Sequence, residues 1–87
     1  MFQPDGGRIP VEPKNGNHFR LEELQAFVEG YIEIIPVGNK IMVIDEEGKL
    51  KNLPINHHAT EVLQTYYQNA LDYIVGPALI CDKSMVK

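Results

Sequence analysis

YIEIIPVGNKIMVI, residues 31–44, reads as two β-rich runs on either side of a turn. Residues 31–35 and 40–44 carry the strand composition, and Pro36-Val37-Gly38-Asn39 joins them, which predicts a hairpin. Strand pleating sends Ile32 and Ile34 to one face and Tyr31 and Ile35 to the other. In the second run Ile41 and Val43 oppose Met42 and Ile44. Both faces of the hairpin are therefore apolar. A sheet with one solvated face should instead alternate with polar residues, so the second face needs cover from loops or from a partner.

Before the hairpin lies FRLEELQAFVEG, residues 19–30. Leu21, Leu24, Phe27 and Val28 recur at helical spacing, and Gly30 stands where a helix would end. With Arg20 as N-cap, Phe19 and Leu24 occupy the two positions of a hydrophobic staple. Arginine is a poor cap because its side chain cannot accept the free N–H groups, and Glu22 and Glu23 offset this through the helix dipole. After the hairpin, Glu46-Glu47-Gly48 reads as a turn, with Lys49-Leu50-Lys51 extending the pairing briefly. A second helix follows LPINHHAT, its apolar stripe formed by Ala59, Val62, Leu63, Tyr66 and Ala70.

The ends complete the pattern. Pro4-Asp5-Gly6-Gly7 is a tight turn between the three-residue stub Met1-Phe2-Gln3 and an alternating run from Arg8 to Glu12. Pro10 places that run at a sheet edge. The last element, Tyr73 to Cys81, is β-rich, and Gly76-Pro77 suggests a bulge in it. The order is β-β-α-β-β-α-β, an α+β domain with a mostly antiparallel sheet and two helices packed on one face. Residues 1–87 make one small domain, with an ordered core over about residues 4–82 and a loose tail at 83–87.

Twelve acidic and eight basic residues give a formal charge of −4, and the bases are scattered, which argues against binding nucleic acid. A single cysteine, Cys81, excludes an internal disulfide and sits in an apolar run as a small hydrophobe. The first residues lack the pattern of a signal peptide, and no apolar stretch has the length of a membrane span, so the expected location is cytoplasmic.

The blocks LEELQAFVEGYIEI, MVIDEEGKL, LPIN with Ala59-Thr60, and IVGPALIC are similar to a family of small bacterial, phage and mobile-element domains without assigned function. The resemblance runs from about Pro4 to Cys81 in consistent order. It implies a small cytoplasmic accessory domain and brings no catalytic residue with it. Three features depart from the family's pattern: the stub of a first strand, Arg20 in place of a hydroxyl cap, and Glu29 where a second glycine often precedes Gly30. His57-His58 falls at a position that varies in the family.

The residues offer little chemistry of their own. Asn56 is a good N-cap, making His57 and His58 the first two helical residues. Adjacent helical side chains lie about 100° apart and do not converge on one ion. Only His57 and Glu61 have chelating spacing, with His18 as a distant third donor. Asp45-Glu46-Glu47 reads as a turn, and Glu33 as a strand carboxylate. The lone serine, Ser84, lies in the tail outside any nucleophile motif. Tyr66 and Tyr67 read as core packing, with no basic surface beside them to hold nucleic acid. No cofactor is expected. The expected function is non-enzymatic protein–protein contact, with a partner or as a homodimer. The candidate surface comprises Tyr31, Glu33, Ile35, Met42, Ile44, Asn56, His57 and His58. The alternatives are an acidic DNA mimic, or a metal or small-ligand domain built on His18, His57, His58 and Glu61.

Overall fold

The computed structural model describes residues 1–68 and 72–86. Helix α1 (Leu21–Val28) precedes strands β1 (Ile32–Val37) and β2 (Lys40–Asp45). Helix α2 (His57–Tyr66) and strand β3 (Leu79–Asp82) follow, then a 3-10 turn at Lys83–Met85. The three strands form an antiparallel sheet in the order β1-β2-β3. The hairpin is tighter than the sequence suggests, because Val37 pairs with Lys40 and leaves a two-residue turn. Gly38 supplies a φ of 67° in that turn, and positive φ at a first turn residue suits the twist of paired strands. Pro36 lies inside β1, opposite Ile41. A proline is tolerated there because β1 is an edge strand and residue 36 directs its backbone away from β2.

The register gives β2 two apolar faces, and each is covered by a different helix. Ile32, Ile34, Ile41, Val43 and Leu79 share one face by their pairing. Ile41, Val43 and Leu79 form a buried cluster with Phe19 and Leu24, and Phe27 and Ile32 pack against it. On the opposite face Val37, Met42 and Ile44 are buried with Ala59 and Leu63 of α2, together with Ile74 and Ala78. The α+β class and the antiparallel sheet agree with the sequence, but the placement of both helices on one face does not. Met42 and Val43, neighbours on opposite faces, are each 0% exposed. A central strand so apolar requires a layer on each side.

Other boundaries also differ. The first two expected strands shrink to single bridges: Phe2 pairs with Arg8 and with Ala78. Pro10 halts further pairing, since it has no N–H to donate. The run expected from Tyr73 to Cys81 is split at Gly76, where φ is 75°. Val75 bridges to Ile55 before the break, and β3 joins β2 after it. Lys49-Leu50-Lys51 adds no strand pairing and belongs to the turn that follows β2. The C-terminal residues are docked rather than loose: Val86 bridges to Phe19, and Met85 and Val86 pack on the α1 cluster. Ala70, placed in the apolar stripe of the second helix, lies outside the described residues, as does residue 87.

Local chemistry sets the helix ends. Arg20 is the N-cap of α1, and its amide donates to Glu23 Oε2 at 2.7 Å, while the Lys14 amide donates to Glu23 Oε1 at 2.8 Å. The Arg20 amide foremost, then that of Lys14, holds the Glu23 carboxyl below its ordinary range. At the other end Glu29 takes the left-handed conformation, φ 60°. Gly30 closes the helix end as expected, its amide donating to the Gln25 carbonyl at 3.1 Å, and its lack of a side chain also leaves room for a lysine. A Cβ on it would stand 2.5 Å from Lys51 Nζ, which reaches the Glu29 carbonyl at 3.1 Å and Asp45 Oδ2 at 2.7 Å. Lysine 51 thus satisfies a carbonyl at the α1 terminus and neutralises a carboxylate only 1% exposed.

Candidate functional site

Among the described residues, no strand pairs with the outer edge of β1. A two-residue hairpin closes on a hydrogen-bonded pair, so residues 37, 35 and 33 bond to β2 and residues 32, 34 and 36 direct N–H and C=O outward. Two contacts fit that parity. The Glu46 amide donates to the Tyr31 carbonyl at 2.9 Å on the inner side. On the outer side the Tyr67 hydroxyl donates to the Pro36 carbonyl at 2.6 Å. Pro36 has no N–H, so that end of the edge is closed. Among the described residues, none bonds the outward groups of Ile32 and Ile34. Ile34 is 44% exposed and Tyr31 66%.

Three of the four tyrosines, Tyr66, Tyr67 and Tyr73, stand on the α2 side of this strand. Tyr31 immediately precedes the strand, beside Gln25 and Gly30, and Tyr73 lines one cavity with Glu33. Tyr67 reaches Pro36, and the Tyr66 ring occupies the space a Gly38 side chain would need. Each ring is between 41% and 66% exposed. Tyrosine surfaces of this kind combine an apolar body with a polar tip and are enriched in protein interfaces.

Beside the same strand is a cavity of about 260 Å³ whose walls include Glu33, Ile35, Glu46, Lys49, Asp72 and Tyr73. Lys49 pairs with Asp72, and its ammonium sits 4.4 Å from the centre of the Tyr73 ring. The hydrogen bond to Asp72 holds the Lys49 ammonium above its ordinary pKa. That bond, and then the Tyr73 amide, holds the Asp72 carboxyl below its own. Glu33, Glu46 and Asp72, all exposed, line the cavity into which this ammonium projects.

The expected contact residues divide by their position. Glu33 and Ile35 share the α2 face of β1, Tyr31 precedes the strand beside Gln25, and Met42 and Ile44 are buried beneath α2. They cannot present a surface, because the second face of the sheet is closed. Asn56 is fully buried and wholly engaged. Its Oδ1 accepts from the Ala59 amide at 3.1 Å, and its Nδ2 donates to the Phe2 and Gly76 carbonyls, both at 2.9 Å. Its own amide donates to the Ile74 carbonyl at 2.8 Å. Asn56 therefore joins the N-terminal stub, the approach to β3 and the first turn of α2. His57 is exposed, and His58 is half-buried against Phe2, with ring centroids 4.0 Å apart.

Among the described residues no three metal-ligating side chains stand together, and His18 precedes α1 while His57, His58 and Glu61 lie on α2 across the sheet. The carboxylates are also divided. Glu22, Glu23 and Glu29 belong to the α1 side, Glu33 points to the α2 side, and Asp45 is buried. Sequence reasoning missed Ile32, Ile34, Lys49, Asp72 and Tyr73 as members of one site. Pro36 inside a strand was the available signal for an edge, but its reading as part of the loop concealed it.

A family model described as Domain of unknown function (DUF3846) matches residues 2–85, and the chain belongs to that family. Neither a curated protein nor a solved structure matches the chain.

Proposed function

We propose that this member of the family acts by protein–protein contact, through addition of a partner's strand to the outer edge of β1. The observation that carries the reading is the pair of outward-facing backbone units at Ile32 and Ile34, flanked by exposed Tyr31, Tyr67 and Tyr73. An open edge supplies main-chain hydrogen bonds, and the adjoining side chains supply selectivity. A role as a non-enzymatic accessory domain of a phage or mobile element, in the cytoplasm, belongs to the same proposal and rests on the sequence resemblance. No described helix is long and apolar enough to cross a membrane.

Replacing Ile34 with proline tests this reading. The outward N–H at position 34 is lost while the bonds of residues 33, 35 and 37 to β2 are retained. Wild type and variant are compared for fold by circular dichroism, and for capture of proteins from nuclease-treated lysate of the native host. The expected result is a folded variant that loses the partners held by wild type. An unchanged set of captured partners would refute the edge as the contact surface.

A further inference from the structure

We propose that the β1 edge selects an extended peptide with the pattern apolar–basic–apolar, its lysine or arginine opposite Glu33. The inference rests on the strand-addition reading and specifies its partner. If a strand adds antiparallel to β1, Ile32 and Ile34 become hydrogen-bonded pairs with it. The residue between them faces Glu33 in a non-hydrogen-bonded pair, where side chains approach most closely. That residue projects to the α2 side, toward the cavity that holds Glu33, Glu46, Asp72 and Tyr73. There the carboxylates outnumber the one ammonium, Lys49, which is already paired with Asp72. A basic side chain complements this surplus and can also lie against the Tyr73 ring. The flanking residues project to the other face, beside Ile32 and the 44%-exposed Ile34, and should be apolar. The bonded segment ends there, because Pro36 offers no N–H and its carbonyl is held by Tyr67.

A second copy of the chain fits this edge poorly. Self-pairing centred on Glu33 would set two like carboxylates directly opposite each other, a destabilising arrangement. Centring on Ile34 would set Ile32 against Pro36, without a donor and with its carbonyl engaged. Centring on Ile32 would set Ile34 against Gly30, whose N–H is committed to the Gln25 carbonyl at 3.1 Å. The first register is opposed by charge, and the other two lack a complete set of bonds.

The test is an NMR titration of the full chain with two blocked synthetic peptides, Thr-Val-Lys-Val-Thr and Thr-Val-Glu-Val-Thr. The lysine peptide is expected to shift the amides of Ile32 and Ile34 and the signals of Glu33 and Tyr73. It should bind at least about tenfold more tightly than the glutamate peptide. Glu33→Gln should abolish most of that preference without changing the fold. Equal shifts by both peptides at Ile32 and Ile34 would preserve strand addition and overturn the basic-residue assignment. If neither peptide perturbs those amides, strand addition and its specificity both fail. Sedimentation showing a wild-type dimer that Ile34→Pro dissolves would overturn the assignment in favour of self-pairing.

Discussion

Asn56→Asp separates two roles that a single side chain plays in the fold. As an N-cap, aspartate equals asparagine, and its charge should gain roughly 0.3–1 kcal/mol from the α2 dipole. Asn56 also donates, however, to the Phe2 and Gly76 carbonyls from a fully buried position. Aspartate would set an anionic oxygen against those two carbonyl oxygens. The Phe2 carbonyl retains the Ala78 amide as a partner, whereas the Gly76 carbonyl is left alone at roughly 1–3 kcal/mol. Burial of an unpaired charge adds at least one to two pKa units at about 1.4 kcal/mol each. The sum is about 1–6 kcal/mol at neutral pH, centred on about 3.5, against about 2–4 kcal/mol for Asn56→Ala, which loses the cap and leaves the Gly76 carbonyl unpaired. The new carboxyl should have a folded-state pKa above its unfolded value of about 3.9. Its deficit relative to wild type should therefore grow as pH rises through the folded pKa, and shrink below the unfolded one, where the protonated acid can donate to one carbonyl. Urea unfolding followed by far-UV circular dichroism, for wild type and variants at several pH values, measures each difference. If Asn56→Asp matches wild type within about 0.5 kcal/mol at neutral pH, the two carbonyl contacts contribute nothing and Asn56 is only a cap.

The two-sided core makes a second prediction. Leu24→Ala and Leu63→Ala should each cost about 2–5 kcal/mol, since both side chains are buried. Because they lie in separate clusters on opposite faces, their costs should add within about 0.5 kcal/mol in the double variant. Strong coupling would mean that one core spans both helices; thermal or urea unfolding of the three variants decides. For Glu23, the lowered folded-state pKa means that its contribution is present above the unfolded value and lost as pH falls through the folded one. The Arg20 and Lys14 amide shifts should titrate together in acid, below the ordinary glutamate range, and Glu23→Gln should abolish that shared transition. Independent titration of the two amides by NMR would show that Glu23 does not bridge them.

Much of the fold is legible where local pattern and tertiary demand coincide. The hairpin follows from β-rich runs around Gly38-Asn39, and α2 from its spacing and the Asn56 cap. The staple pair Phe19 and Leu24 meets in one cluster, as the sequence suggests. Which face each helix takes was not visible from either helix alone. The evidence lay in β2, where Met42 and Val43 point opposite ways and are both apolar. A strand of that kind implies layers on both sides, and two helices are enough to supply one each. At the N-terminus, alternation over four or five residues does not by itself supply a pairing partner. Phe2 finds both Arg8 and Ala78, but neither ladder grows beyond the bridge.

The candidate site was less legible because it depends on which strand is left at the edge. Chain order places β1 and β2 together but does not say that β3 takes the far side of β2 and leaves β1 at the edge of the sheet. Once it does, the two-residue turn sets the parity of every outward group, so Ile32 and Ile34 can receive a strand while Glu33 and Ile35 remain bonded to β2. The same parity turns the Glu33 side chain toward Lys49, Asp72 and Tyr73, residues distant in sequence that share one cavity wall with it. Proline 36 then has two consequences. It prevents the edge from pairing along its whole length, as edge-strand prolines do, and it confines any partner to the two backbone units beside that cavity. A short edge with a charged cavity beside it favours selective contact with a brief peptide segment over open-ended strand association.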